Sequence, residues 1–297
     1  MSVTVVGSIA YDRVKTPFGE RERMLGGAAT HFALAASFFD EVRVVGPVGD
    51  DFTDMEVLAT RGSNVDDVER VAGGETFFWH GEYGWDLNSR ETLDTRLGVF
   101  ESFDPKLSEG SRQAEILFLA NIQPDVQRAV REQSQAGFVA MDSMNLWIEI
   151  ARDSLVATIA GVDCVILNDA ELRQLTEKPN LVSAAREVLA MGPSVVVAKQ
   201  GEYGAALITA EEFFSLPAYP LETVVDPTGA GDTFAGGFVG WLARNPGDYR
   251  AAMAYGTALA SFNVEEFGTE RVLRLTREEI EDRVQQLGAM TRLALTV

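Results

Sequence analysis

The chain has 297 residues, enough for one large α/β domain or two smaller ones. Of these residues 46 % are hydrophobic and 24 % are charged, a composition typical of a soluble globular protein. Its 25 basic and 45 acidic residues give a net charge of −20, which repels phosphate backbones and argues against nucleic-acid binding. Two histidines and one cysteine, Cys164, exclude most zinc sites and any internal disulfide.

Short β-branched runs alternate with helix-like segments along the chain. Continuous apolar strands separated by helices indicate a mostly parallel sheet that helices cover on both faces, with right-handed crossovers. We find no linker or repeat, so one domain over 1–297 is expected. The predicted strands are 3–8, 41–49, 114–120, 137–142, 162–167 and 194–199, and the clearest early helices are 27–39 and 54–62.

Two polar excursions, 11–25 and 73–100, interrupt this alternation. In an extended strand, Phe77, Trp79, Tyr83 and Trp85 share one face. We expect these segments to form a small β lid over a site. An ordinary surface hairpin and a dimer interface are the alternatives.

The segment "VVDPTGAGDTFAGGF" (224–238) places Gly229, Ala230 and Gly231 at the start of an apolar helix. Glycines permit close approach to a ligand, and the free N–H groups of a helix start bind anions. An acidic protein can therefore hold a phosphoryl group here without lysine or arginine. Asp232, in the first turn, is either a helix-stabilising acid or a base that accepts a proton from an attacking hydroxyl.

Two common nucleotide motifs are missing. The sequence contains no G-x-x-x-x-G-K-[ST], which argues against a P-loop NTPase. No G-x-G-x-x-G follows the first strand, which argues against a Rossmann dehydrogenase.

Five segments in order resemble the ribokinase-like, PfkB-type family of carbohydrate and nucleoside kinases. "DPTGAGDTFAGGF" is similar to the family's D-x-x-G-A-G-D, and "GGAATHFALAAS" (26–37) to its diglycine followed by a small-residue helix. The others are "VVGSIAYD" (5–12), "NDAE" (168–171), which resembles N-x-x-E, and "AKQGEYGAALI" (198–208). The set spans most of the chain and implies the three-layer ribokinase-like α/β fold with a small β lid.

The resemblance implies ATP-dependent transfer of the γ-phosphoryl group to a hydroxymethyl group of a sugar or sugar-like molecule. Asp232 matches the catalytic base, and the N–H groups of Gly229, Ala230 and Gly231 match the anion hole. Asp12 matches the acid that binds sugar hydroxyls, and Gly26 and Gly27 match the diglycine hinge.

At His31 the chain departs from the family's sugar kinases, which often carry Asn there. We expect His31 either to contact a substrate hydroxyl or to be structural. Asn121, at a strand end, is a further candidate for substrate binding.

The resemblance also implies cofactor sites. Asn168 and Glu171 match the motif that places Mg²⁺, although N-x-x-E is also the pattern of a helix capping box. Asp226 matches a position near a monovalent-cation loop, so K⁺ is a further candidate ligand. We expect nucleotide contacts from Lys199, Gly201, Thr228, Gly229 and Gly231.

A sugar kinase is the first functional hypothesis, an adenosine-like nucleoside kinase the second, and a catalytically silent ligand sensor the third. We also expect a homodimer formed through the lid. A reducing cytoplasm is the expected location, because the lone cysteine forms no internal disulfide, the N-terminus resembles no signal peptide and no apolar run approaches the ~20 residues of a membrane span.

Overall fold

A computed structural model describes residues 1–292 and contains two sheets. The strands are β1 (Ser2–Val6), β2 (Ala10–Thr16), β3 (Gly19–Gly26), β4 (Glu41–Val48), β5 (Val68–Arg70), β6 (Phe77–Tyr83), β7 (Arg90–Arg96), β8 (Ile116–Leu119), β9 (Phe138–Met141), β10 (Cys164–Asn168), β11 (Val195–Lys199), β12 (Ala205–Ile208) and β13 (Phe213–Leu216).

The helices connect and cover these strands. They are α1 (Ala28–Ala36), α2 (Met55–Leu58), α3 (Glu109–Arg112), α4 (Pro124–Gln133), α5 (Asn145–Ile150), α6 (Arg152–Ile159), α7 (Asp169–Thr176), α8 (Leu181–Met191), α9 (Ala230–Arg244), α10 (Tyr249–Asn263), α11 (Glu270–Arg274) and α12 (Arg277–Met290). Within residues 1–292, no helix combines the length and the hydropathy that crossing a bilayer requires.

The large sheet has nine strands in the order β13-β12-β11-β10-β9-β8-β1-β4-β5. Neighbouring strands from β11 to β5 run parallel, and β12 pairs antiparallel with both β11 and β13. The predicted mostly parallel sheet is therefore confirmed.

Side chains of the central strands alternate between two buried clusters, as expected for a sheet covered on both faces. Val195 and Val197 of β11 enter one cluster, whereas Val196 and Ala198 enter the other. The first cluster includes residues of α1, α9 and α10, and the second includes residues of α4, α6, α7 and α8. Cys164 is fully buried in the first, where it packs as a small apolar residue.

Small residues allow α9 to lie directly against its neighbours. A Cβ atom on Gly236 would lie 2.3 Å from the carbonyl oxygen of Phe32 in α1, and one on Gly237 would lie 2.9 Å from the Cα of Gly256 in α10. Such distances are too short for any side chain at either position. The close packing fixes the start of α9, at residue 230, relative to both neighbouring helices.

The predicted helix over 54–62 is only partly present. The α-helix covers Met55–Leu58, and a separate 3₁₀ turn follows over Thr60–Gly62. The α-helix has its C-cap at Ala59, and within the 3₁₀ turn Arg61 has a φ of 53°, which is not helical. Its guanidinium donates to the carbonyl oxygen of Leu34 at 2.6 Å, so a tertiary contact accompanies the departure from the helical pattern.

The second sheet, called the small sheet below, has the order β3-β2-β6-β7 and comes from the two polar excursions. Its β2 and β6 run parallel, and Asp12 is directly paired with Trp79. Directly paired residues project from the same face of a sheet. Asp12 and Trp79 therefore project from the same face of the small sheet, which we call its inner face.

Candidate active site

A tight turn, called the cradle below (residues 229–232), begins α9. Gly229 has φ of 74°, a left-handed conformation that suits glycine. Ala230 N–H donates to the carbonyl of Pro227 at 3.2 Å, so it is not among the free donors that the sequence predicted. The N–H groups of Gly229, Gly231 and Asp232 donate to no backbone acceptor in the described part of the chain. Those of Gly229 and Gly231 are available to an anion, whereas that of Asp232 also interacts with its own carboxylate, whose pKa it lowers.

Lys199, at the end of β11, lies directly against the cradle. A Cβ atom on Gly231 would lie 3.0 Å from its Nζ. The same Nζ donates to Asp142 Oδ2 at 2.7 Å, and both side chains are largely buried, with 17 % and 5 % exposed. The sequence predicted Lys199 near the nucleotide, and the structure adds that a buried carboxylate holds its ammonium group.

The carboxylates around the cradle repel one another. Burial, and then the charge of Asp142, raises the pKa of Asp232 to about 7, while Lys199 acts in the opposite direction. Burial, and then the charges of Asp226 and Asp232, raises the pKa of Asp12 to about 8. Asp12 and Asp232 therefore lie close enough to interact, although they are 220 residues apart in sequence.

The diglycine at 26–27 adjoins Asp12. A Cβ atom on Gly26 would lie 2.0 Å from Asp12 Oδ2, so only glycine leaves room for this carboxylate. Gly27 has φ of 94° and precedes α1. The predicted residues Asp12, Gly26 and Gly27 are thus brought together.

His31, in α1, lies beneath the cradle. Its Nδ1 is 3.2 Å from Asn263 Oδ1, and a Cβ atom on Gly229 would lie 2.3 to 2.4 Å from three ring atoms. Burial lowers the pKa of His31 to about 4, so the ring is neutral at physiological pH.

Asn121 follows β8, and its side-chain amide contacts Trp147 and Met144 rather than the predicted substrate site. Its Oδ1 accepts from Trp147 Nε1 at 3.0 Å, and its Nδ2 lies 3.1 Å from Met144 Sδ. No side-chain hydrogen bond links it to Asp12 in the part of the chain that the structure describes.

Asn168 and Glu171 form a capping box at the start of α7. Asn168 Oδ1 accepts from Glu171 N–H, and Glu171 Oε2 accepts from Asn168 N–H, both at 2.8 Å. The capping box is one of the two roles that the sequence predicts for these residues, the other being Mg²⁺ binding. Glu171 Oε1 takes no part in the capping box. Burial, and then Asp142, raises the pKa of Glu171 to about 7. The surplus of buried negative charge suits a cation.

Asp226 is fully buried and uses both carboxylate oxygens. Oδ1 accepts from Thr228 N–H and Oδ2 from Gly268 N–H, each at 2.9 Å. No group of three or more His, Cys, Asp or Glu side chains with metal-binding geometry occurs within residues 1–292. A metal held here therefore depends on phosphate oxygens or water for most of its ligands.

A cavity of about 570 Å³ opens beside the cradle. Its lining includes the predicted nucleotide residues Lys199, Gly201 and Gly231, with Ala230 beside them. Thr228 and Gly229 form the turn that leads to this wall. The tip of the β6–β7 hairpin, residues 86–88, also lines the cavity, together with mainly apolar residues that include Tyr219, Pro220, Leu221 and Val264.

Three residues of the site were not found by sequence reasoning. Arg90 is paired with Tyr83 in the small sheet, and its charge lowers the pKa of Asp12, against the larger effect of burial. Tyr83 Oη lies 3.2 Å from Thr228 Oγ1, which joins the small sheet to the turn before the cradle. Asn263 ends α10 and contacts His31. None belongs to a motif, and the sequence suggests Tyr83 only as one of the lid aromatics that stack on a base or pack between subunits.

Comparison with known proteins identifies the family of this chain. The profile of the pfkB family carbohydrate kinases matches residues 108–274, more than half of the chain. A cytidine kinase from Thermococcus kodakarensis is 28 % identical, over 82 % of this chain and 89 % of that protein. A nucleoside kinase from Methanothermobacter thermautotrophicus is 26 % identical, over 89 % of this chain and 85 % of that protein.

A solved structure shares the fold. The nucleoside kinase from Burkholderia thailandensis, in complex with inosine, has a TM-score of 0.84 at 20 % identity, covering 96 % of this chain and 97 % of that one. The predicted ribokinase-like fold is therefore confirmed. The family match and the kinase relatives show a phosphotransferase that acts on alcohol groups: the chain belongs to the pfkB family of carbohydrate kinases.

Proposed function

We propose that this kinase transfers the γ-phosphoryl group of ATP to the hydroxymethyl group of a nucleoside. The acceptor lies between Asp12, the diglycine and the inner face of the small sheet, and ATP occupies the cavity beside the cradle. The single observation that carries the choice of acceptor is the indole of Trp79 on the inner face that also carries Asp12.

The chemistry follows from charge placement. Asp232 accepts the proton of the acceptor hydroxyl as its oxygen attacks the γ-phosphorus. The N–H groups of the cradle and the ammonium group of Lys199 stabilise the charge on the transferring group. A pKa of Asp232 near 7 suits this role, because a general base works best when its pKa is close to the working pH.

Trp79 supports a nucleobase rather than a sugar alone. Its Nε1 lies 3.3 Å from Thr92 Oγ1, and its ring covers Gly81, where a Cβ atom would lie 2.1 Å from the ring. These contacts hold the ring on the face of the small sheet that carries Asp12, as a flat surface on which a base stacks. The two relatives named above that match most of the chain, a cytidine kinase and a nucleoside kinase, agree with this choice.

Mg²⁺ fits beside Glu171 and Asn168. Glu171 Oε1 and the raised pKa of that carboxyl group favour a cation there, and Mg²⁺ bound with ATP would neutralise phosphate charge. K⁺ fits less directly, since both oxygens of Asp226 already accept N–H groups. Only the remaining lone pairs of the two Asp226 carboxylate oxygens are left to bind K⁺.

We further propose that residues 1–297, of which 293–297 lie outside the described part of the chain, form one kinase domain with the small sheet as its lid. The Tyr83–Thr228 contact and the hairpin tip in the nucleotide cavity support closure over both substrates, which would exclude water from the reaction. A homodimer through the lid and a cytoplasmic location remain predictions from the sequence. Light scattering at micromolar concentration tests the dimer.

The substrate experiment measures ADP production with Mg²⁺ and ATP across nucleosides, free sugars and polyols. Turnover with nucleosides supports the proposal. Turnover with sugars alone would support the kinase activity but refute a nucleoside as the acceptor. The nucleoside kinase is the second of the hypotheses from sequence. Thermal stabilisation by a ligand without any turnover would favour the silent sensor.

We predict that Trp79→Ala raises KM for the nucleoside about 5- to 100-fold, the range expected for losing one base-stacking contact. KM for ATP should change less than threefold, because the ring lies on the acceptor side. Trp85→Ala is the matched control, since that tryptophan is 90 % exposed. Equal effects of the two substitutions would contradict a stacking role for Trp79.

A further inference from the structure

One buried amide, Asn263, contacts the two residues that flank the cradle. It is fully buried at the end of α10. Its Nδ2 donates to the carbonyl of Thr228 at 2.8 Å, and its Oδ1 accepts from Thr233 Oγ1 at 3.0 Å. A single side chain therefore links the residue before the cradle to the residue after it.

The orientation of this amide determines which nitrogen of His31 carries a proton. A carbonyl oxygen only accepts, so the Asn263 atom that faces Thr228 must be Nδ2 and the atom that faces His31 must be Oδ1. His31 Nδ1 then has to donate. Since the ring is neutral, Nε2 is left as an acceptor, and it is buried without a hydrogen-bond partner in the described part of the chain.

The His31 ring also packs on the cradle backbone. Its atoms occupy the place that a Cβ atom on Gly229 would take, so glycine is required there by contact as well as by its positive φ. His31 follows the diglycine by four residues. The ring therefore connects the acceptor side of the site to the phosphoryl side.

We propose that Asn263 and His31 are positioning residues that hold the cradle N–H groups in the geometry required by the transferring phosphoryl group. This inference rests on the proposed function of the cradle. Of the two sequence hypotheses for His31 it adopts the structural one, because the ring's one donor, Nδ1, is engaged with Asn263 and only Nε2, as an acceptor, is left for a substrate hydroxyl. Donors of this kind stabilise the transition state only when they are aligned beforehand.

The first experiment compares Asn263→Ala with Asn245→Ala, an amide at the other end of α9 that donates to the Trp241 carbonyl. Asn263→Ala should lower kcat roughly 10- to 100-fold, as expected when catalytic donors shift by about 1 Å. KM for ATP should stay within about threefold, and Asn245→Ala should keep its kcat. A kcat for Asn263→Ala within twofold of wild type, or equal losses in both variants, would overturn the proposal.

The second experiment separates a donor role of His31 from simple packing. His31→Asn keeps an N–H donor near the position of Nδ1, whereas His31→Gln places its amide nearer to Nε2. The proposal predicts kcat in the order wild type, His31→Asn, His31→Gln, His31→Ala. If side-chain volume alone mattered, His31→Gln would exceed His31→Asn, and that order would overturn the proposal.

A third readout does not depend on turnover. The chain has only two histidines, so ¹⁵N spectra of histidine-labelled protein contain two rings, and His31→Asn assigns them. The proposal predicts that His31 is neutral at pH 6 with its proton on Nδ1, and that Asn263→Ala alters this signal. A proton on Nε2 in the wild type would contradict the proposal. Asp232→Asn, measured in parallel, separates the two claims, because full activity in that variant refutes the proposed function instead.

Discussion

Asp232→Asn should lower kcat at least ~10²-fold while ATP still binds, given the usual contribution of a general base. The amide has nearly the shape of the carboxylate but cannot accept the proton of the attacking hydroxyl. Calorimetric titration with ATP and steady-state kinetics measure the two effects separately. Asp153→Asn is the control, because Asp153 is also an acid in the first turn of a helix, α6. A turnover number near that of wild type would refute Asp232 as the base.

The same substitution should make the ligand-free protein more stable at pH 8. The pKa of Asp232 is raised in the folded state to about 7, so its favourable contribution to folding is present at low pH and lost as the pH rises through 7. Replacing the ionised carboxylate by a neutral amide should raise Tm by about 2 to 6 °C at pH 8. The difference should disappear below about pH 4, where the carboxyl group is protonated in both states.

Lys199→Met should lower the free energy of unfolding by about 3 to 5 kcal/mol at pH 8, because it leaves a buried carboxylate without its partner. Lys199 lies between Asp142, Glu171 and Asp232, and its charge lowers the pKa of the last two against the effect of burial. Removing it should raise both values further. The loss should therefore shrink at pH 6, where protonation relieves the repulsion. Chemical denaturation at the two pH values measures this.

Two further variants test the cause of that loss. Lys15→Met breaks an ion pair with Glu82 that has the same 2.7 Å distance but is exposed to solvent, so it should lower the stability far less than Lys199→Met. Lys199→Met combined with Asp142→Asn removes both buried charges and should restore much of the stability. A loss in Lys199→Met as small as that in Lys15→Met would show that burial of the pair is unimportant.

The parts of the site that the sequence predicts are those formed by local segments. The cradle follows from glycines and an acid at the start of one apolar helix, and the capping box at Asn168 and Glu171 follows from a four-residue pattern. The large sheet follows from the alternation of apolar runs and helices. In the cradle and the capping box, interactions between residues close in sequence dominate the geometry, whereas for the sheet the local pattern predicts the strands themselves and not which strands pair.

Contacts between distant segments could not be predicted in this way. Asn263 reaches the cradle only because α10 packs against α9, and nothing around it forms a motif. Arg90 faces Asp12 because of the pairing of β6 with β7, which includes an irregularity between His80 and Gly81 that changes the register. Such shifts reverse which face a side chain occupies, and the alternation of a sequence does not reveal them.

The central claim is that the cradle receives the transferring phosphoryl group beside Asp232. The most direct test is a crystal structure with ADP, aluminium fluoride, Mg²⁺ and a nucleoside. We predict that the fluoride ligands lie within hydrogen-bonding distance of the N–H groups of Gly229, Gly231 or Asp232, with the Asp232 carboxylate on the nucleoside hydroxymethyl oxygen. A fluoride group bound elsewhere, or a hydroxymethyl group remote from Asp232, would contradict the account.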